Sequence, residues 1–139
     1  MSEIIWQTLM SSTAFLNSSK FSILPKRKCL LEYSYEDEEG ASTIFEKLIF
    51  DGVESFKCTH YKACSLEMIK AYCKIVDVGE SDWLIEIKQN LSQAKVKAEN
   101  LKHLRIYFDD GPCYEFICKS FEVTSEKQKN HFENLDNLL

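Results

Sequence analysis

The chain has 139 residues, 45% of them hydrophobic and 28% charged, with a formal net charge of -5. That is enough apolar material for one core in a single domain spanning residues 1–139, and four glycines and two prolines are too few for a low-complexity or collagenous chain. Only two of the seventeen basic residues are Arg, so the acidic balance argues against nucleic-acid binding through phosphate neutralisation, and no stretch approaches the roughly 18 consecutive apolar residues of a membrane span.

Residues 1–20 leave two readings open. Ile4, Ile5, Thr8 and Leu9 suit a helix, whereas the neighbouring Ser and Asn cluster suits irregular structure or an edge strand. Glu3, the lack of an early basic residue and the interrupting serines make a poor secretion signal, so the chain reads as cytoplasmic. Cys29, Leu31, Tyr33 and Tyr35 then alternate with Lys28, Leu30, Glu32 and Ser34, the period of a strand with one face on a core. The acidic run Glu36-Asp37-Glu38-Glu39 reads as a solvated tip before Gly40. Two β-rich runs follow, Thr43 to Phe50 and Val53 to Tyr61, and Asp51-Gly52 between them predicts a hairpin with a type I′ turn.

At Ser65 the period changes. Leu66, Ile69, Tyr72, Cys73 and Val76 share a helical face, with Ser65 placed to cap it and Gly79 to end it. Ser81-Asp82 can cap a second helix carrying Trp83, Leu84, Ile87 and Leu91, although Trp83, Ile85 and Ile87 also alternate as in a strand. Residues 92–100 are its extension or an exposed connection. Leu104, Ile106 and Phe108 then alternate with His103, Arg105 and Tyr107, and a turn at Asp109-Asp110-Gly111-Pro112 leads to the strand "CYEFICKSFEV". In the tail, Ser125 and Gln128 form a potential capping box ahead of Phe132, Leu135, Leu138 and Leu139, which predicts a helix within 124–139.

These elements predict an α+β fold, a mainly antiparallel β-sheet with one to three helices packed on one side. Its core should draw on Leu31, Tyr33, Leu48, Phe50, Phe56, Ile69, Trp83, Leu104, Ile106, Phe108, Phe116 and Phe121.

Candidate chemistry is sparse. Cys58, His60 and Cys64 could converge on a metal, with His103 or Cys113 as a fourth ligand, but their spacing matches no common zinc pattern. Cys64, near a helix start, is the first candidate for an activated thiol. Asp109 and Asp110 could act with Glu115, yet adjacent strand residues point to opposite faces, which favours a turn role. The six cysteines, Cys29, Cys58, Cys64, Cys73, Cys113 and Cys118, read as reduced and mostly buried. No phosphate-binding, zinc-protease, nucleophile-elbow or EF-hand motif is present, no cofactor is implied, and nothing argues positively for an enzyme. Recognition remains. Tyr33, Tyr35, Tyr107, Tyr114 and Trp83 are large amphipathic side chains suited to interfaces. A binding edge would combine Tyr107, Asp109, Asp110 and Tyr114 with Glu36, Asp37, Glu38 and Glu39, facing a basic protein surface.

The stretches "WLIEIKQNL", "LKHLRIYFDDGPCYEFICKSFEV" and "FKCTHYKACSLEMIKAY" resemble small uncharacterised cytoplasmic proteins of low-GC Gram-positive bacteria. Leu104 stands where that group has Tyr. The resemblance covers roughly residues 28–123 and carries over no functional residue. Some such proteins are immunity partners of bacterial toxins, so it implies a non-catalytic protein-binding module that neutralises a toxin. The alternative is a small-molecule or metal-binding regulatory domain using Cys58, His60 and Cys64.

Overall fold

Strand alternation organises most of the chain. The structure is a computed structural model that describes residues 2–8, 19–37, 40–108 and 112–129. In chain order its elements are β1 Glu3–Gln7, β2 Lys20–Leu24, β3 Lys28–Glu36, β4 Ser42–Asp51, β5 Ser55–Thr59, α1 Leu66–Ile69, β6 Lys74–Asp77, α2 Asp82–Gln93, β7 Lys102–Tyr107, β8 Cys113–Cys118 and β9 Ser120–Lys129. The strands form two antiparallel sheets, one ordered β1-β6-β7-β8-β5 and the other β2-β3-β4-β9. The expected single sheet is therefore two, packed face to face.

The core between them is built from the inward half of each alternating strand. Leu31, Leu48 and Phe50 of the four-stranded sheet meet Ile75, Leu104, Ile106 and Phe116 of the five-stranded sheet, all essentially inaccessible to water. Phe50 stacks on Phe116 with ring centroids 4.0 Å apart, and Tyr33 lies against Phe108 at 5.0 Å. Each such fully buried side chain contributes about 1.5–3 kcal/mol. Of the expected core, Phe56 is exposed at one edge, while Ile69, Trp83 and Phe121 are half-buried. The outer face of the five-stranded sheet is covered as well. Met68 and Ile69 of α1 pack with Tyr107 and Cys113, and Leu84, Ile87 and Leu91 of α2 pack near Ile117. This burial on both faces makes every residue of β8 buried.

Several expectations are corrected. Asp51-Gly52 is not a hairpin: β4 is paired on both edges, by β3 and β9, so β5 must leave and pair with β8 in the other sheet. Gly52 does adopt positive φ, +65°, but uses it to cross between sheets. The run "CYEFICKSFEV" likewise splits at Lys119, β8 staying in one sheet and β9 entering the other. The two crossings are tied together by the Lys119 N–H, which donates to the Asp51 carbonyl at 2.9 Å.

The helix expected from Leu66 to Val76 is a single turn. Ser65 caps it, accepting from the Met68 N–H at 3.2 Å. The chain then turns through Cys73 at φ +53°, and the β-branched Ile75 and Val76 join β6, which fills the gap between β1 and β7. Ser81 caps α2 as expected, accepting from Leu84 N–H. Ser125 and Gln128 lie in β9 and not at a helix start, because this segment pairs with β4 along ten residues. Phe132, Leu135, Leu138 and Leu139 lie outside the described residues. Within the open N-terminal segment, Glu3–Gln7 is an edge strand paired with β6.

Candidate functional site

The residues singled out from the sequence do not form one exposed edge. Tyr107 is buried on the outer face of the five-stranded sheet, with Tyr72, Ala71 and Cys113 around it. Tyr114 is buried between the sheets, stacked on Phe21 with its hydroxyl 3.0 Å from Ser19 Oγ. The reason is shared: β7 and β8 run through the middle of a sheet covered on both sides, so at Tyr107 and Tyr114 neither alternating face reaches solvent. Asp109 and Asp110, like Glu38 and Glu39, lie outside the described residues. Glu36 is exposed at the end of β3. Asp37 has a structural task, since its Oδ1 accepts from the N–H groups of Ala41 at 3.0 Å and Ser42 at 3.3 Å, and its Oδ2 lies 3.4 Å from Lys127 Nζ. A desolvation cost raises its pKa, but these donors outweigh it and hold the carboxyl below its usual range.

The metal candidates do not converge. Cys58 is exposed on β5, opposite Tyr114, and the Cys64 thiol points back to the carbonyls of Thr59 and His60, 3.5 Å from each. Among the described residues no group of three or more His, Cys, Asp or Glu side chains could hold a metal ion. Burial pushes the Cys58 and Cys64 thiols up, away from the thiolate needed for ligation or attack. All six cysteines are free.

The structure holds two buried carboxylate centres, of which the sequence reading passes over Glu46 and names Glu115 only as a companion of Asp109 and Asp110. Glu46 points into the sandwich, level with Tyr33 and Ser125 on the flanking strands. Its Oε1 accepts from Thr8 Oγ1 at 2.7 Å and the Tyr33 hydroxyl at 2.6 Å, and its Oε2 from the Tyr35 hydroxyl at 2.9 Å and Ser125 Oγ at 3.2 Å. Burial and the adjacent carboxylate push Tyr33 upward and Tyr35 up to about 12. A carboxylate with its acceptor sites this fully used is a structural hub.

Glu115 is the second centre. His103 Nε2 and Arg105 Nε both lie 2.8 Å from its Oε1, and His103 Nδ1 lies 2.7 Å from Ser81 Oγ. Ser81 Oγ also accepts from Leu84 N–H, so one hydroxyl joins the α2 cap to the imidazole, and the other ring nitrogen meets the Glu115 carboxylate. Trp83 packs edge-on against His103 at 5.1 Å, and Lys57 Nζ lies 4.1 Å from the Trp83 ring. The Ser-His-Glu order resembles a nucleophile with its base, but Arg105 neutralises the carboxylate that would stabilise an imidazolium, and Ser81 is engaged as a cap. Burial raises the pKa of Glu115, yet the His103 and Arg105 hydrogen bonds and the Arg105 charge outweigh it and hold the carboxyl low. The network fastens α2 to the sheet. The sequence carried a signal for both centres: Glu46 falls in phase with Ile44, Leu48 and Phe50, and Glu115 with Cys113 and Ile117.

Among the described residues, the outer face of the four-stranded sheet is left open. Leu30, Phe45 and Ile49 share it with Glu32, Lys47, Glu122 and Glu126, and Phe45 is 38% exposed. Among the described residues no helix covers this face, and the β3–β4 hairpin extends it to Glu36 and Asp37. No family model, curated protein or solved structure matches this chain.

Proposed function

We propose that this chain is a non-catalytic binding module that takes a basic protein surface on the outer face of its four-stranded sheet, in the manner of an immunity protein neutralising a basic toxin domain. The observation that carries this reading is the pairing of a sheet face that no described element covers, centred on Phe45, with the acidic β3–β4 hairpin beside it. An apolar anchor framed by charge is the usual anatomy of a recognition surface, and a net charge of -5 favours association with a basic partner. The six unpaired thiols suit a reducing, cytoplasmic setting. Among the described residues no helix is long and apolar enough to cross a membrane.

Affinity capture from source-cell lysate tests the reading when the wild type is compared with Phe45→Ala and Glu36→Lys. A partner that engages this surface should bind Phe45→Ala about five- to thirtyfold more weakly, the effect of truncating a central aromatic anchor. It should associate more slowly with Glu36→Lys and show less salt dependence. Equal retention of the same partner by all three proteins would refute this face as the site.

A further inference from the structure

The edge where β2 and β5 lie side by side has a different character. Phe21 of β2 and Phe56 of β5 touch across the two sheets, ring centroids 5.1 Å apart, and beyond them opens a cleft of about 500 Å³. Its position is that of unfinished core. Ile23 sits opposite Cys29 and Phe56 opposite Phe116, partners that are buried on the inward faces. Yet Ile23 is 68% and Phe56 41% exposed, because no described side chain fills the space over them. Cys29 and Val53 close the floor.

The mouth is basic in an otherwise acidic chain. Arg27 and Lys28 line it, Glu54 is the one acid among its described lining residues, and Lys26 adjoins them on the β2–β3 turn. This turn is held in place: Lys26 and Arg27 both adopt the left-handed region, at φ +62° and +58°, which non-glycine residues rarely enter. The Arg27 carbonyl accepts from Val53 N–H at 2.8 Å, and its guanidinium pairs with Glu54. The chain therefore keeps a strained turn that fixes a cation over an apolar cavity.

We infer that this cleft binds a medium-chain amphiphilic carboxylate, its hydrocarbon chain against Ile23, Leu24 and Phe56 and its head group at Arg27 and Lys28. The volume is within the range of small-molecule sites, and two cations against one carboxylate leave a net positive charge for a single anionic head. The site lies at the edge between the sheets and is separate from the face proposed for protein binding.

Calorimetric titration of the full chain with decanoate below its micelle concentration, beside decanol and an apolar tetrapeptide with a free carboxylate, tests the assignment. Decanoate should bind saturably at one site, and decanol at least about tenfold more weakly, as expected for losing a charge-assisted contact. Arg27→Gly suits the positive φ and keeps the fold while removing the cation, so it should abolish the preference for decanoate. Ile23→Trp, which fills the cleft from an exposed wall, should abolish binding of both, with circular dichroism confirming the fold. Equal binding of decanoate and decanol, no saturable decanoate binding, or unchanged binding by folded Ile23→Trp would each overturn the proposal. Binding of the peptide without decanoate would replace it with a peptide site.

Discussion

Removing the Glu115 carboxylate should destabilise the fold in a pH-dependent way. The side chains of Glu115 and Arg105 are 6% and 14% exposed, so the pair is mostly desolvated. Glu115→Ala leaves Arg105 without its buried partner and breaks the hydrogen bond from His103, a loss of about 3–5 kcal/mol. Glu115→Gln keeps an acceptor for one donor and removes the charge, so about half that loss is expected. At roughly 3–4 °C per kcal/mol for a domain of this size, the alanine variant should melt about 9–20 °C lower. The sign with pH follows from the depressed carboxyl. The folded protein holds the charge to lower pH than the unfolded chain, whose glutamates titrate near about 4.3. The stabilisation is complete above that value and lost as pH falls through the folded-state pKa. Urea unfolding of wild type and Glu115→Gln from pH 7 to pH 3 should thus show a gap that narrows in acid. A constant gap across that range would refute the ion-pair reasoning. Ser81→Ala, which removes the α2 cap and the contact to His103, should be non-additive with Glu115→Gln by about 0.5 kcal/mol or more.

Gly52→Ala should cost about 1–2 kcal/mol in urea unfolding, from the left-handed backbone and because a Cβ there would meet the Lys119 side chain at 2.8 Å. Lys26→Gly should instead stabilise by up to about 1 kcal/mol, since φ +62° is strained for lysine, and a loss of stability would contradict the turn geometry. Thiol labelling of the native protein should modify Cys58 and Cys64 first, both slowly. Cys29, Cys73, Cys113 and Cys118 are buried, with Cys118 pushed up to about 12 by burial, and should react only on unfolding. Rapid native labelling of any of these four would contradict the core assignment. Tyr35→Phe should cost about 1–2 kcal/mol, because it takes a hydroxyl from the buried Glu46 carboxylate, and an unchanged melting temperature would remove Glu46 as a stabilising hub.

The strands are legible wherever one side chain in two must be apolar. Leu104, Ile106 and Phe108 reveal β7, and Ser81 marks the start of α2 by its capping chemistry. Sheet membership is another matter, because a glycine with positive φ serves a hairpin and a crossing equally well. At Asp51-Gly52 the choice is made by β9, some seventy residues later in the chain, which takes the edge of β4 that a hairpin would have used. The same non-local competition overrides the helical spacing of Leu66 to Val76, where the open edges of β1 and β7 claim Ile75 and Val76. The binding edge fails for a related reason. Alternation separates the two faces of β7 and β8 but does not say that both are covered, so Tyr107 and Tyr114 look available until a second sheet and the helices are in place. Glu46 and Glu115 were legible as charges in apolar phase. Their partners were not, since Thr8, Ser81 and Ser125 come from distant parts of the chain.

The ten-residue ladder between β4 and β9 also bears on synthesis. Until residues 120–129 have left the ribosome, β4 has β3 on one side and a row of open backbone donors and acceptors on the other, along the largely apolar stretch from Ile44 to Phe50 that only Glu46 and Lys47 interrupt. Such an edge recruits other strands when its own is missing. A nascent or truncated chain ending before Ser120 would therefore be far more prone to aggregate than to wait for its fold, and only the arrival of the charged β9 ends that exposure.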